Sequence, residues 1–371
     1  MSSLTSEKKI AICFIAPKAY PLFRPEVEGV FGGAEVDLFY IAKELARDKR
    51  FRVSFIVADY GQPPTQTIEN ITVIRSLSFH KNPLTGAWQI WRALKQTHAD
   101  IYLIKTASPG VPLVSWFCRR YNRQFVYRVA HRYECDGTYS HHHFFLGKVF
   151  ARALRNAKII LSQNTNDKVL LEKTLGIPSL VIPNGHQLPI LSPAKRDVIL
   201  WVGRTAVFKR PDIFIALAQK FPREKFIMIC PKATGDRNYE ILQQQAAAVS
   251  NLEFIAQVPF TEIDGYFQRA RVLVNTSDSE GFPNVFIQAC KWSVPILSLN
   301  VNPDGFLNKY SCGLSCRGDV SQLEQGLKYL LENDHCLELG QNARRYAEKH
   351  HDIRKIIEIY KTIFTQFMEG S

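Results

Sequence analysis

Short apolar runs alternate with amphipathic stretches along most of the chain. Continuous apolar runs of strand length are typical of strands that are buried on both faces of a parallel sheet. The stretches between them have the 3.6-residue period of α-helices; in the segment 33–48, for example, Val36, Phe39 and Leu45 fall on one stripe. The alternation predicts an α/β fold in which crossover helices connect parallel strands.

The same pattern gives the approximate position of each element. Strands are predicted at 9–17, 52–59, 71–77, 100–106, 124–130, 157–163, 179–183, 197–204, 225–231, 252–258, 271–277 and 294–300. Helices in the second half are predicted near 211–221, 236–249, 262–269, 284–292 and 320–333, followed by one long amphipathic stretch at 337–368.

A turn-rich polar segment at 184–193 separates two rounds of this alternation and is interpreted as an interdomain linker. We therefore predict two Rossmann-like domains, at 1–187 and 196–340, and a C-terminal helical segment at 341–371.

Composition restricts the class of protein. The chain has 371 residues, of which 46% are hydrophobic and 22% charged, as expected of a globular protein with room for two cores. No run approaches the roughly 20 apolar residues of a membrane span. The eight cysteines form no CxxC pair, which favours free thiols in a reducing cytoplasm.

The net charge of +13 is concentrated in the first half: residues 1–185 carry +11 and the remainder +2. Between Arg119 and Lys158 nine basic residues face only two acidic ones, with aromatic residues between them. This mixture suits an anionic membrane surface, a phosphorylated acceptor or nucleic acid, and it is equally consistent with a solvated face over core aromatics. Nucleic acid is disfavoured because no nucleic-acid motif accompanies the charge.

The most informative segment is Ser-Glu-Gly-Phe-Pro-Asn, residues 279–284, which follows the strand at 271–277 and opens a helix. Ligands bind at the carboxyl ends of strands in open α/β sheets, and a helix N-terminus offers unpaired N–H groups. Glu280 could bind sugar hydroxyls at this turn; a structural role as a helix cap is the alternative.

Two further loops follow predicted strands. Gly32 and Gly33 open the first long helix, where their N–H groups could face a phosphate or simply allow close packing. Arg204 and Lys209 follow the first strand of the second half, and two cations at a sheet edge can neutralise a diphosphate.

His131 ends the strand at 124–130 and could contact a sugar, although a structural histidine is the commoner case. The consecutive histidines 141–143 point in different directions on a helix, so we assign them to the surface and predict no metal site. The sequence Asp-Ser-Glu at 278–280 is not the Asp-x-Asp pattern that holds a divalent ion with a nucleotide sugar.

Taken together, these segments resemble the GT-B glycosyltransferases, and among them the retaining family 4. The resemblance extends from Gly-Gly-Ala-Glu at 32–35 to the strand at 294–300. It implies two Rossmann-like domains that face each other across a cleft, with the C-terminal helix crossing back to the N-terminal domain.

The resemblance also implies roles for individual residues. Gly33 would donate its amide to the donor diphosphate, Arg204 and Lys209 would stabilise that diphosphate as it leaves, and Glu280 would hold the donor sugar. His131 would lie beside the anomeric carbon. The remaining donor contacts would come from Phe282, Pro283, Asn284, Val285 and, near the base, Val258.

One position departs from the family pattern of two glutamates separated by seven residues, because the second is Gln288. A Gln carbonyl still accepts a hydrogen bond from ribose but lacks the negative charge.

The reaction implied is metal-independent transfer of a hexose from a UDP- or GDP-sugar, with no separate cofactor. The acceptor would be a lipid-linked or polysaccharide precursor or a small molecule. The enzyme would be cytoplasmic, with peripheral contact at the inner membrane face. Two alternatives stay open: a degenerate binding module without turnover, and a nucleotide-sugar epimerase or hydrolase.

Overall fold

The computed structural model of the protein describes residues 9–142, 144–233 and 235–369; His143, one of the three histidines assigned to the surface, lies outside them. The chain forms two compact units. The first contains residues 1–185 and 353–371, and the second is the continuous segment 186–352.

The first unit is built on one sheet, whose described strands have the order β3-β4-β2-β1-β5-β6-β7-β8. All neighbouring strands are parallel except β3, which pairs antiparallel with β4. The strands are β1 (Ile10–Ile15), β2 (Phe51–Val57), β3 (Thr65–Ile68), β4 (Ile71–Arg75), β5 (Ile101–Lys105), β6 (Gln124–Arg128), β7 (Ile159–Ser162) and β8 (Leu180–Val181).

Helices connect these strands and cover the sheet. One buried apolar cluster joins side chains of β5, β6 and β7 to side chains of the connecting helices. The helices are α1 (Tyr20–Phe23), α2 (Gly33–Ala46), α3 (Pro83–Thr97), α4 (Gly110–Arg120), α5 (Thr138–His142), α6 (Phe144–Arg155) and α7 (Thr165–Leu175).

The second unit has an entirely parallel sheet, with its described strands in the order β11-β10-β9-β12-β13-β14. The strands are β9 (Val198–Val202), β10 (Lys225–Ile229), β11 (Leu252–Ile255), β12 (Ala270–Asn275), β13 (Ile296–Ser298) and β14 (Gly313–Ser315). The helices are α8 (Pro211–Lys220), α9 (Tyr239–Ala247), α10 (Ile263–Arg269), α11 (Asn284–Lys291), α12 (Phe306–Lys309), α13 (Val320–Leu331) and α14 (His335–His350). Two buried clusters contribute to its core.

The long amphipathic stretch predicted at 337–368 is two helices, because α14 ends at His350 and α15 spans Ile353–Glu369. The break at His351 and Asp352 is where the chain leaves the second unit. Helix α15 packs on α2 and β1 of the first unit, as the predicted return of the C-terminal helix requires. Residues 341–350, which we assigned to the C-terminal segment, belong to the second unit.

The chain passes from the first unit to the second between residues 185 and 186 and returns between residues 352 and 353. Within each unit, the residues at these two points contact each other. In the second unit the N–H of His186 donates to the carbonyl of His351 at 2.8 Å, and His186 and Asp352 form a parallel bridge. In the first unit Gly185 approaches Ile353 so closely that a Cβ would collide with the Ile353 side chain, which explains a glycine at this position.

No helix of the described residues is long and apolar enough to cross a membrane. The eight cysteines are free thiols, as predicted, and seven of them are buried.

Candidate active site

Glu280 lies in the turn between β12 and α11, at the carboxyl end of the sheet of the second unit. Its Oε2 is 2.7 Å from Nζ of Lys209, and both side chains are largely buried. The side-chain amide of Asn275, the last residue of β12, donates to Glu280 Oε1 at 3.2 Å. The fold therefore brings together two residues that the sequence assigned separately to the sugar and to the diphosphate.

The pKa of Glu280 is below its ordinary value. Burial of the carboxyl favours the neutral form, but the charge of Lys209 and its hydrogen bond, with further bonds from Ser277 and Asn275, outweigh burial. Glu280 is therefore an anion at neutral pH and acts as a hydrogen-bond acceptor.

The loop that carries Lys209 is attached to the end of β12. Thr276 Oγ1 donates to the Lys209 carbonyl at 2.7 Å and accepts the indole N–H of Trp201 at 2.9 Å. The N–H of Asp278 donates to the carbonyl of Phe208 at 2.8 Å. These bonds fix the backbone of Lys209 relative to Glu280, so the ion pair rests on a rigid support.

Arg204 precedes this loop, just beyond β9, and its side chain is half-buried. Among the described residues, no hydrogen bond or ion pair of its guanidinium group is found. Its neighbour cation Arg210 is paired with Asp212 and Asp278. Arg204 can therefore offer its whole planar group to an anionic ligand.

The first turn of α11 contains most of the other predicted donor contacts. Phe282 is buried against Phe306 and His351, with ring centroids 5.2 and 4.9 Å apart, so its ring is part of the core. Pro283 is the N-cap residue, followed by Asn284 and Val285, which are half-buried. Any donor contact of Phe282 would thus come from its backbone.

Gln288 is buried on α11, and the described residues include no hydrogen-bond partner for its side-chain amide. The amide atoms keep some contact with solvent and are therefore accessible to a ligand. Val258 lies in the loop between β11 and α10 and packs on the core cluster that contains Phe286.

In the first unit, the predicted residues lie at the carboxyl ends of β1 and β6. His131 follows β6 and its ring stacks on Tyr133 at 5.2 Å between centroids. Gly32 is the N-cap residue of α2, and its N–H already donates to Glu35 Oε2 at 2.8 Å. Gly33, the first residue of α2, is exposed at the start of the helix.

A buried polar cluster, not predicted from the sequence, lies near the same edge. Arg128 and Lys105 contact the Asp37 carboxylate at 2.5 and 2.8 Å, and Asn184 Oδ1 accepts from Arg128 at 2.7 Å. Burial of Asp37 favours its neutral form, but the charges of Arg128 and Lys105 prevail and lower its pKa. Burial lowers the pKa of Lys105 to about 8 against the opposing charge of Asp37.

Glu134, also missed from the sequence, is buried three residues beyond His131. Its carboxyl accepts from the hydroxyl of Tyr127 at 2.7 Å and from the N–H groups of Ala130 and Ala107 at 3.0 and 3.3 Å. Burial raises its pKa to about 7, although these hydrogen bonds act in the opposite direction. The bond to Ala130 fixes the backbone next to His131.

Some of the residues that we missed share one signal, a polar side chain at the end of an apolar strand, as in Lys105, Arg128 and Asn275. Asp37 on α2 and Glu134 beyond β6 have no such signal. Their burial could not be inferred from the pattern alone. Among the described residues, no group of three or more His, Cys, Asp or Glu side chains is placed to hold a metal ion.

Two protein-family models match the chain, one in each half. The model described as Glycosyltransferase Family 4 matches residues 31–188, and the model described as Glycosyl transferases group 1 matches residues 196–333. An uncharacterized glycosyltransferase of Haemophilus influenzae is 24% identical over 353 residues, which cover 90% of this chain and 97% of that protein.

Solved structures with the same fold include sucrose-phosphate synthase from Thermosynechococcus elongatus. Its TM-score is 0.80 at 17% identity, with 98% of this chain and all of that chain covered. The E. coli trehalose-6-phosphate structure bound with UDP-2-fluoro glucose has a TM-score of 0.70 at 13% identity, covering 96% and 99% of the two chains.

The turn after β12, the basic loop after β9 and the glycine pair before α2 thus lie on the two-domain scaffold of these proteins. With both halves matched, the chain belongs to the family 4 (group 1) glycosyltransferases of the GT-B fold.

Proposed function

We propose that this glycosyltransferase moves a hexose from a UDP- or GDP-sugar to an acceptor hydroxyl, with retention of anomeric configuration and without a metal ion. The observation that carries the proposal is the buried ion pair between Lys209 and Glu280 at the carboxyl edge of the second sheet. Such an edge is where α/β proteins bind nucleotides.

The ion pair supplies two chemistries at one point. The Lys209 ammonium can neutralise the negative charge that develops on a leaving diphosphate, and Arg204 can bind the same group through its planar fork. The Glu280 carboxylate can accept hydrogen bonds from sugar hydroxyls. Together they fit a ligand that joins a diphosphate to a sugar.

A UDP-sugar is the favoured donor, since the similarly folded E. coli structure is bound with UDP-2-fluoro glucose. The turn at Pro283 to Val285 would contribute backbone groups to the donor. Gln288 would accept a hydrogen bond from the ribose, and Val258 would pack near the base.

In the reaction, the acceptor oxygen attacks the anomeric carbon from the side of the leaving group as the bond to the diphosphate oxygen breaks. The acceptor proton passes to a phosphate oxygen of the leaving diphosphate, so no protein base is required. Arg204 and Lys209 then hold the diphosphate anion. In the first unit, His131 would contact the sugar beside the anomeric carbon and Gly33 would donate its amide to the diphosphate.

The test is a thermal-shift screen against UDP, GDP, ADP and their sugar conjugates, each with and without EDTA. We expect a selective shift with one nucleotide that persists in EDTA, and a smaller shift in Arg204→Ala. Arg223→Ala, which removes an exposed cation elsewhere in the second unit, is the matched control.

Product analysis then separates the alternatives. Transfer that depends on added acceptor and keeps the donor's anomeric configuration by NMR supports the proposal. Conversion of the donor without acceptor would indicate an epimerase or hydrolase. Absence of a shift with every nucleotide would indicate a binding module that has lost its donor site.

A further inference from the structure

Three helices of the first unit, α3, α4 and α6, cover one face of its sheet. Helix α3 packs on α4, and α4 packs on α6. Their described residues contain seven Lys and Arg, two in α3, two in α4 and three in α6, and no Asp or Glu. An ordinary solvated face mixes both signs of charge, so this arrangement is unusual.

Large aromatic side chains are exposed among these cations. Trp88 on α3, Trp116 on α4 and Phe145 on α6 are 59%, 60% and 75% exposed. We call the outward surface around these three residues the basic–aromatic face. Burying this apolar area would be favourable, and tryptophan is typical of the boundary between apolar and aqueous phases.

The aromatic rings and the cations are in direct contact. The ring of Trp91 on α3 packs at a tilt against the rings of Trp116 and Tyr121, with centroids 4.6 and 5.9 Å apart. Lys95 lies 5.5 Å above Tyr121, and Arg92 lies 5.8 Å from the ring of Trp88. Cations and apolar rings are therefore neighbours on this face, which suits a surface that is negatively charged outside and apolar beneath.

We propose that the basic–aromatic face docks the protein on an anionic lipid surface. A soluble polyanion would pair with the cations but would leave the exposed indole and phenyl groups in water. A lipid surface accommodates both: the phosphates pair with the cations, and the rings enter the headgroup region.

The placement also has a consequence for the reaction. Helices α3 and α6 begin beyond the carboxyl ends of β4 and β6, so Phe145 and Trp88 lie toward the edge of the sheet where His131 lies. Docking through the end of the face that carries Phe145 and Trp88 would bring that edge to the membrane, and a lipid-linked acceptor would then reach it. This last step rests on the proposed transferase function, whereas the docking itself does not.

The experiment is co-sedimentation of the protein with vesicles of phosphatidylcholine, with and without phosphatidylglycerol, over a range of salt concentrations. We expect binding only to vesicles that contain phosphatidylglycerol, and a dissociation constant that rises with salt. Replacing Arg92, Lys95, Arg119 and Arg120 by Gln should weaken binding about fivefold per cation and reduce the salt dependence.

The control removes the same number of exposed cations from the second unit, by replacing Arg223, Lys225, Lys328 and Lys349 with Gln. It should bind vesicles as the unsubstituted protein does. Trp88→Ser should weaken binding while leaving the salt dependence unchanged, because it removes apolar contact and no charge. Because Trp88 is exposed, the Trp88→Ser variant should unfold at the same temperature as the unsubstituted protein.

Absence of binding to anionic vesicles at low salt, or equal loss in the control, would overturn the proposal. If the protein does not bind vesicles but forms a dimer that dissociates in the Trp88→Ser variant, the basic–aromatic face binds a second copy of the chain instead. No nucleotide is present in this assay, so it is independent of the thermal-shift screen. If the protein binds vesicles but no nucleotide changes its unfolding temperature, the transferase proposal is refuted and the docking proposal stands.

Discussion

Lys209 and Glu280 form a buried ion pair with 2.7 Å between Nζ and Oε2, although they come from different loops far apart in the chain. Lys209 stabilises the charged state of Glu280, and both side chains are largely buried. A substrate that arrives with its own charges must exchange partners with this pair. The pair is therefore a preorganised element for binding the charged groups of a substrate.

Lys209→Ala should lower kcat by a hundredfold or more, because it removes a cation that stabilises the leaving diphosphate. It should also raise the pKa of Glu280, which depends on Lys209 for its depression. Steady-state kinetics would measure the first effect. Arg210→Gln, which removes the neighbouring cation, should retain most activity; near-normal turnover in Lys209→Ala would exclude its role at the diphosphate.

Thr276→Val should lower kcat about tenfold by freeing the carbonyl of Lys209 and the indole of Trp201 from their hydrogen bonds. Thr276→Ser keeps the hydroxyl group and should restore most of the rate. Kinetics on both variants, with thermal unfolding as a check on folding, would distinguish positioning from loss of structure. Equal rates in the two variants would mean that the hydroxyl does not position Lys209.

Gln288→Glu should tighten binding of the nucleotide about tenfold, because a carboxylate accepts stronger hydrogen bonds from ribose hydroxyls than an amide does. Isothermal titration with UDP and with its 2′,3′-dideoxy analogue would measure the effect. The gain should occur only with UDP. A gain of the same size with the dideoxy analogue would place Gln288 away from the ribose.

Glu134→Gln should flatten the dependence of stability on pH. The pKa of Glu134 is about 7 in the folded protein and near 4.5 when unfolded. Between these values the unfolded chain ionises while the folded protein keeps the proton. The free energy of unfolding therefore falls as pH rises through this window, by roughly 3 kcal/mol in total.

Urea unfolding at pH 5 and pH 8 would test this, with the exposed Glu358→Gln on α15 as control. Glu134→Gln should show a smaller fall in the free energy of unfolding than the unsubstituted protein, and the control should not. An unchanged fall in Glu134→Gln would locate the titration elsewhere.

Asp37→Asn should destabilise the first unit by about 3–5 kcal/mol, because it leaves the buried cations Arg128 and Lys105 without their counter-ion. Urea unfolding followed by circular dichroism would measure the loss. Adding Lys105→Met should recover part of it, since one buried cation is then removed. No recovery in the double variant would mean that packing, rather than charge, accounts for the loss.

The predicted strands are confirmed because parallel strands are buried on both faces and must be apolar throughout. β3 was missed because its sequence, Thr-Gln-Thr-Ile, is mainly polar, as an edge strand can be. β14 has only three residues, which is too short for a periodic signal. The break between α14 and α15 was missed because the amphipathic pattern continues on both sides of it.

The sequence predicted which loops contain the candidate site residues, but it did not predict which of these residues contact each other. Lys209 and Glu280 meet because β9 and β12 are neighbours in the sheet. The local pattern of apolar and polar residues does not predict the order of strands in a sheet. The burial of Asp37, Arg128 and Lys105 was not predicted, since charged side chains are seldom buried unless paired. Their pairing depends on three elements that meet only in the folded unit.

The return of α15 to the first unit has a consequence for synthesis on the ribosome. The second unit is one continuous segment whose ends meet at His186 and Asp352, so all its parts are present once residue 352 has been made. The first unit must wait for α15, whose Tyr360 lies against Arg128. We therefore expect the second unit to complete its fold earlier, while the unit that begins the chain is finished last.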